Sequence, residues 1–180
     1  MQVNILLRMF VLSVFLFMNY LPRITDFLLS LGLRIDFAPL EAPTFLPGVR
    51  ITQGGLTIDE AQLLYPGDVL HEAGHLLTLP AGVRGNMDGD LPDTDLHRGG
   101  ELMALAWSYA VCLHLDMPPQ VVFHEHGYKS GGAHLVAEFA AGRAVGLPML
   151  QYYGMSFDER QAALRGVPPF PHMVHWVCQA

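Results

Sequence analysis

His71, Glu72 and His75 stand together in the run HEAGH, residues 71–75. Two histidines at this spacing lie about 40° from each other on a helix, one turn apart. Imidazoles so placed can share one metal ion, and histidine is the commonest metal-ligating side chain. Glu72 projects to the side of the same face, within reach of a water held by that metal but without being a ligand. Zinc lowers the pKa of such a water to about 7, and a neighbouring carboxylate can then take its proton. The spacing therefore has a chemical reason as well as a pattern. The plain structural alternative is two surface histidines on an ordinary helix.

A catalytic zinc site needs a third protein ligand and an open fourth position. Downstream candidates are His97, Glu101, His124, His126, His134 and Glu138. Glu101 is favoured because it begins the next strong helical pattern, and the loop before it lets the two helices lie side by side. His97 is the runner-up. The alternative for Glu101 is a first-turn carboxylate that complements the helix dipole.

HEAGH followed by Glu101 resembles the core of a gluzincin metallopeptidase, over residues 64 to 108. FLPGVRI, LLYPGDVLHEAGH, ALAWSYA and VFHEHGY also resemble segments of a small bacterial protein family. The zincin resemblance implies a metal-dependent hydrolase, usually a peptidase, with His71, His75 and Glu101 as zinc ligands and Glu72 as base. Many gluzincins place an Asp three or four residues after the ligand Glu, to orient a ligand histidine. Here those positions hold Ala104 and Leu105. Asp68, one turn before His71, is the substitute the sequence offers. The longer signature with a third histidine close behind HEAGH is absent.

A hydrolase also gains from a donor aimed at the developing oxyanion. His126, Tyr128 and Tyr109 are candidates, against the simpler reading that they fill polar corners or pack. NMDGDLPDTD reads as a solvated loop or a lid, because it lacks the closing Glu of a calcium loop. KSGG has the wrong order for a phosphate loop, and Ser108 lacks the context of a serine nucleophile. Leu102, Met103 and Trp107 read as core.

The chain has 180 residues, 51% of them apolar and 15% charged, with net charge −7. That suits one well-buried domain and excludes a disordered chain. Ten Lys and Arg residues are scattered, so no basic stripe offers itself to nucleic acid. Cys112 and Cys178 form no CxxC, which points away from a disulfide framework and a cysteine zinc site and fits a cytoplasmic setting. Residues 1–21 read as an apolar helix, peripheral to the domain, that is buried or faces a partner. A membrane anchor, giving a membrane-associated protein, and a cleaved signal are its alternatives.

The elements that must position the site follow from the pattern. A helix over residues 2 to 20 ends at Pro22, and a second runs from 24 to 32 with Gly32 as its stop. Residues 36 to 47 are extended. VRI and LTI flank a Gly-Gly turn and read as a β-hairpin. Pro66 and Asp68 start the HEAGH helix, the latter as a capping carboxylate, and Pro80 closes it. Residues 81 to 100 read as a loop. Helices follow from Glu101, over AHLVAEFAA and near 157 to 165, with VVF strand-like between the first two. The expected fold class is α+β: a compact single domain over residues 1–180, zincin-like by the resemblance, mostly helical with a small hairpin or sheet.

The leading function is a zinc-dependent hydrolase acting on a peptide or small amide. The alternatives are a non-catalytic metal site, structural or sensing, with the fourth position closed by His97 or His124, and a metal-free module docking through its N-terminal helix.

Overall fold

The computed structural model describes residues 20–89, 95–127 and 131–180, with the backbone alone for 95–98. The expected helix over residues 2 to 20 lies almost wholly outside them. Helix α1 is described over residues 20–30 and runs through Pro22, so the expected break there does not occur. Proline's fixed φ is itself helical. The stop at Gly32 is as expected. Gly32 has φ +81°, its N–H donates to Leu29 O, and Leu33 N–H donates to Leu28 O. This is the left-handed helix end that glycine favours.

Strands β1 (Ile35–Phe37), β2 (Val49–Thr52) and β3 (Gly55–Ile58) form one sheet in the order β1-β3-β2. β1 runs parallel to β3, and β2 pairs antiparallel with it. The hairpin is present, but its turn is Gln53-Gly54 rather than Gly-Gly. Gln53 and Gly54 have φ of 47° and 70°, as the two-residue turn that matches strand twist requires. Gly55 already pairs with Thr52.

Helix α2 (Gly67–Leu77) carries HEAGH. It packs against β2 and β3 and against helix α4. Every residue of α2 except Glu72 is buried. Asp68, His71 and His75 are therefore polar groups inside the protein, and such groups need partners. Asp68 does not cap the helix, as its sequence position suggested. Pro66 occupies the cap position with no side-chain hydrogen bond, and the Asp68 carboxylate turns inward.

A short helix, α3 (Ala81–Arg84), lies inside the expected loop. Arg84 donates from Nε to Leu76 O at 2.9 Å and so ties the end of α2. Helix α4 (Asp95–His114) begins six residues earlier than expected. Glu101 therefore sits nearly two turns inside it, beyond the first turn where the helix dipole favours carboxylates. Met103 and Trp107 are core, but Leu102 is 41% exposed.

VVF is not a strand. Pro119–Val121 form a 3₁₀ turn, which Phe123 N–H extends by donating to Pro119 O. Pro118-Pro119 fix two helical or turn-like φ values, and a short apolar run is ambiguous by pattern alone. Helices α5 (Gly132–Ala140), α6 (Leu147–Tyr152) and α7 (Glu159–Arg165) complete an α+β fold. α6 has no counterpart in the sequence reading. Among the described residues no helix is long and apolar enough to cross a membrane. Cys112 and Cys178 are buried free thiols, and burial pushes the Cys112 thiol up to about 12.

The contact of α2 with α4 depends on Gly74. A Cβ there would lie 2.9 Å from Ala104 Cα and 3.0 Å from its Cβ. Ala104, where the resemblance wants Asp, is thus a packing residue that lets the helices approach. Gly74→Ala gains up to about 1 kcal/mol of helix propensity but meets an overpacking cost of about 1–3 kcal/mol. We expect a net loss in urea unfolding. Gly82→Ala in α3, where a Cβ meets nothing within 4 Å, should leave stability equal or higher. Equal stability of the two variants would contradict the close approach.

Candidate metal centre

His71 and His75 extend from α2 toward α4, their rings 4.7 Å apart between centroids and at 89°. Glu101 meets them from α4. His71 Nε2 and His75 Nε2 are 3.1 Å apart. Glu101 Oε2 lies 3.4 Å from the first and 3.2 Å from the second. The structure thus brings together the three residues expected as ligands, and among the described residues they form a group able to hold a metal ion.

The triangle is close to the size that a tetrahedral metal ion needs. Tetrahedral bonds of about 2.0–2.2 Å require neighbouring donor atoms about 3.3–3.6 Å apart. The edges here are 3.1, 3.2 and 3.4 Å, one within that range and two just short of it. Protons serve the triangle poorly. Each Nε2 carries at most one proton, and the carboxylate oxygen is an acceptor. With one ring proton, an edge sets acceptor against acceptor. With two, the N···N edge sets proton against proton. One cation at the centre satisfies all three atoms.

The His71 and His75 side chains are nearly covered, whereas Glu101 is 43% exposed. The centre therefore opens to solvent on the Glu101 side. Glu72 is the half-buried residue beside it, and its carboxyl feels the charges of His71, His75 and Glu101. Burial dominates and pushes the Glu72 carboxyl above its ordinary range.

The other expected residues lie elsewhere. His124 Nε2 is 3.1 Å from Asp68 Oδ1, and its ring stacks on Tyr65 at 3.8 Å and 14°. This pair was not anticipated; 56 positions separate its members, and no local pattern marks it. Glu138 accepts two hydrogen bonds from Arg143, and His134 is exposed. His126 is 66% exposed and lies near Glu125. Tyr109 is buried, stacked on Phe139 at 4.8 Å and on Phe170 at 6.2 Å. Its ring packs into the core. Ser108 Oγ donates to Leu70 O. Tyr128 and the His97 side chain lie outside the described residues, as does part of the NMDGDLPDTD loop.

No protein-family model matches the chain, and no curated protein or solved structure matches it. The assignment rests on the geometry.

Burial alone would push the Glu101 carboxyl up. The hydrogen bonds and charges of His71 and His75 outweigh it and hold the carboxyl far below its usual range. Burial likewise opposes charge on His71, but the hydrogen bond and charge of Glu101, aided by Glu72 and Asp68, raise its pKa. In the metal-free protein the sign follows. A raised histidine pKa adds stability below its unfolded value, and that is lost as pH rises through the folded value. Glu101→Gln removes the main support. The pH at which His71 takes its proton, read from imidazole NMR, should fall in that variant. An unchanged midpoint would contradict the coupling.

Proposed function

We propose that the protein is a zinc-dependent hydrolase acting on a peptide or a small amide. One observation carries this reading. Two imidazole nitrogens and one carboxylate oxygen converge in a triangle close to zinc dimensions, with a second carboxyl-bearing residue, Glu72, beside them. The gluzincin-like order of HEAGH and Glu101 supports it.

When bound, zinc would polarise a scissile carbonyl and acidify water. His71, His75 and Glu101 hold the ion. Glu72 is the proton carrier: its carboxylate accepts a proton from the attacking water and its carboxylic acid passes that proton to the leaving amine. A carboxyl whose pKa lies above its ordinary range suits this task, since a base works best nearer the operating pH. The burial of both imidazoles excludes water from one side of the centre and strengthens electrostatic effects there. The opening beside Glu101 admits substrate.

His124, one of the two histidines offered for a closed fourth position, is committed to Asp68 instead; the side chain of the other, His97, lies outside the described residues. A structural metal site also has no use for Glu72. The two functions therefore separate in one experiment. The full chain, loaded with zinc, is assayed on a fluorogenic peptide library and its metal content measured. We expect one zinc per chain and cleavage. Glu72→Gln should keep the zinc and lower the rate by about 10²–10⁴-fold. Full zinc with equal activity in the variant would overturn the role of Glu72. Absence of bound zinc in the wild type would overturn the whole reading.

A further inference from the structure

The pair formed by Asp68 and His124 is not used by the proposed chemistry, yet it is placed beside it. Asp68, His71 and His75 stand at i, i+3 and i+7 on α2, and so share one stripe of the helix. Asp68 is 2% exposed. Its Oδ1 is paired with His124 Nε2, and its Oδ2 is buried with no hydrogen-bond partner among the described residues. Burying a carboxylate in this way is costly unless something offsets it.

His124 offsets part of that cost, and a divalent cation at the centre would offset more. Glu101 brings one negative charge to the centre, and imidazoles must be neutral to ligate. One positive charge would remain in a largely covered site. Glu72 cannot balance it steadily, because its charge changes as it carries a proton. We infer that Asp68 is the second negative charge of the centre, a non-ligating residue that tightens binding of a divalent cation to His71, His75 and Glu101. This rests on the metal-binding part of the reading above.

His124 fixes the carboxylate in place. Its ring is held by the Tyr65 stack on one side, and a Cβ at Gly127 would lie 3.1 Å from its Cε1. Tyr65 and Asp68 come from the start of α2, His124 from the loop after the 3₁₀ turn. The same start is pinned at Gly67, where a Cβ would lie 2.0 Å from Val121 O. The charged and titratable groups that sense Asp68 are His124, His71 and Glu72. Asp68 thus acts on the cation through space, while His124 orients it.

Charge and packing predict different patterns. Zinc dissociation constants are measured by chelator competition on the full chain, for the wild type, Asp68→Asn and His124→Gln, with circular dichroism to check the fold. Asp68→Asn removes charge at constant shape and should weaken zinc binding by about 10–100-fold. His124→Gln retains an N–H donor for Asp68 and should stay within about threefold of the wild type. Wild-type affinity in folded Asp68→Asn overturns the inference and leaves the metal reading intact. Equal losses in both folded variants also overturn it, since that is what a packing role gives. If Asp68→Asn does not fold, His124→Gln decides. Affinity within about threefold supports the inference, and a loss of about tenfold or more overturns it. A wild type that binds no zinc removes the metal reading itself.

Discussion

Helices α2 and α4 meet with almost no side chain between them at Gly74 and Ala104, and the candidate metal centre depends on that approach. Beside that contact, His71 and His75 of α2 face Glu101 of α4 across 3.2–3.4 Å. A larger residue at either small position would widen the gap, and the three donor atoms would no longer share a centre. Ala104 stands where the resembling metallopeptidases place an orienting Asp. In this chain that position serves the close approach of the helices, and the buried carboxylate on the histidine stripe is Asp68, from α2. The Gly in HEAGH is therefore part of the site as much as its neighbours are, although it touches no ligand.

The burial of α2 sets the second constraint. A helix covered by a sheet on one side and by another helix on the other should be apolar all round. This one carries Asp68, His71 and His75 inward. Each is answered, Asp68 by His124 and the imidazoles by Glu101, but neither answer is complete. Asp68 Oδ2 and the nitrogens His75 Nδ1 and His124 Nδ1 remain without hydrogen-bond partners among the described residues. Stability alone would favour apolar residues in such places, because replacing buried ion pairs by packed hydrophobic groups is often neutral or favourable. The polar stripe is better explained by what it can hold.

Much of this was legible in the sequence where the physics is local. The four-residue spacing of the histidines fixes their common face, and glycine at a helix end marks α1. The β-branched flanks announce the hairpin, although the turn slipped by one residue because two positive φ values, not two glycines, are what it needs. Glu101 was recognisable as the partner, but for an incomplete reason. The apolar pattern starts at Glu101, whereas the helix starts at Asp95, because the residues of its first turns are polar. Pro22 and VVF misled because a proline's φ is compatible with a helix, and a short apolar run fits either a strand or a turn. The Asp68–His124 pair and the packing of Tyr109 depend on residues brought together from distant segments. No spacing rule reports such contacts.

The most direct test of the centre is zinc X-ray absorption on the loaded, full-length protein. The geometry predicts a first shell of two imidazole nitrogens and one carboxylate oxygen, at about 2.0–2.2 Å, with one water oxygen completing four. In Glu101→Ala one protein oxygen should disappear from that shell while both imidazoles remain. A wild-type shell that lacks the two imidazoles, or one that Glu101→Ala leaves unchanged, would contradict the account.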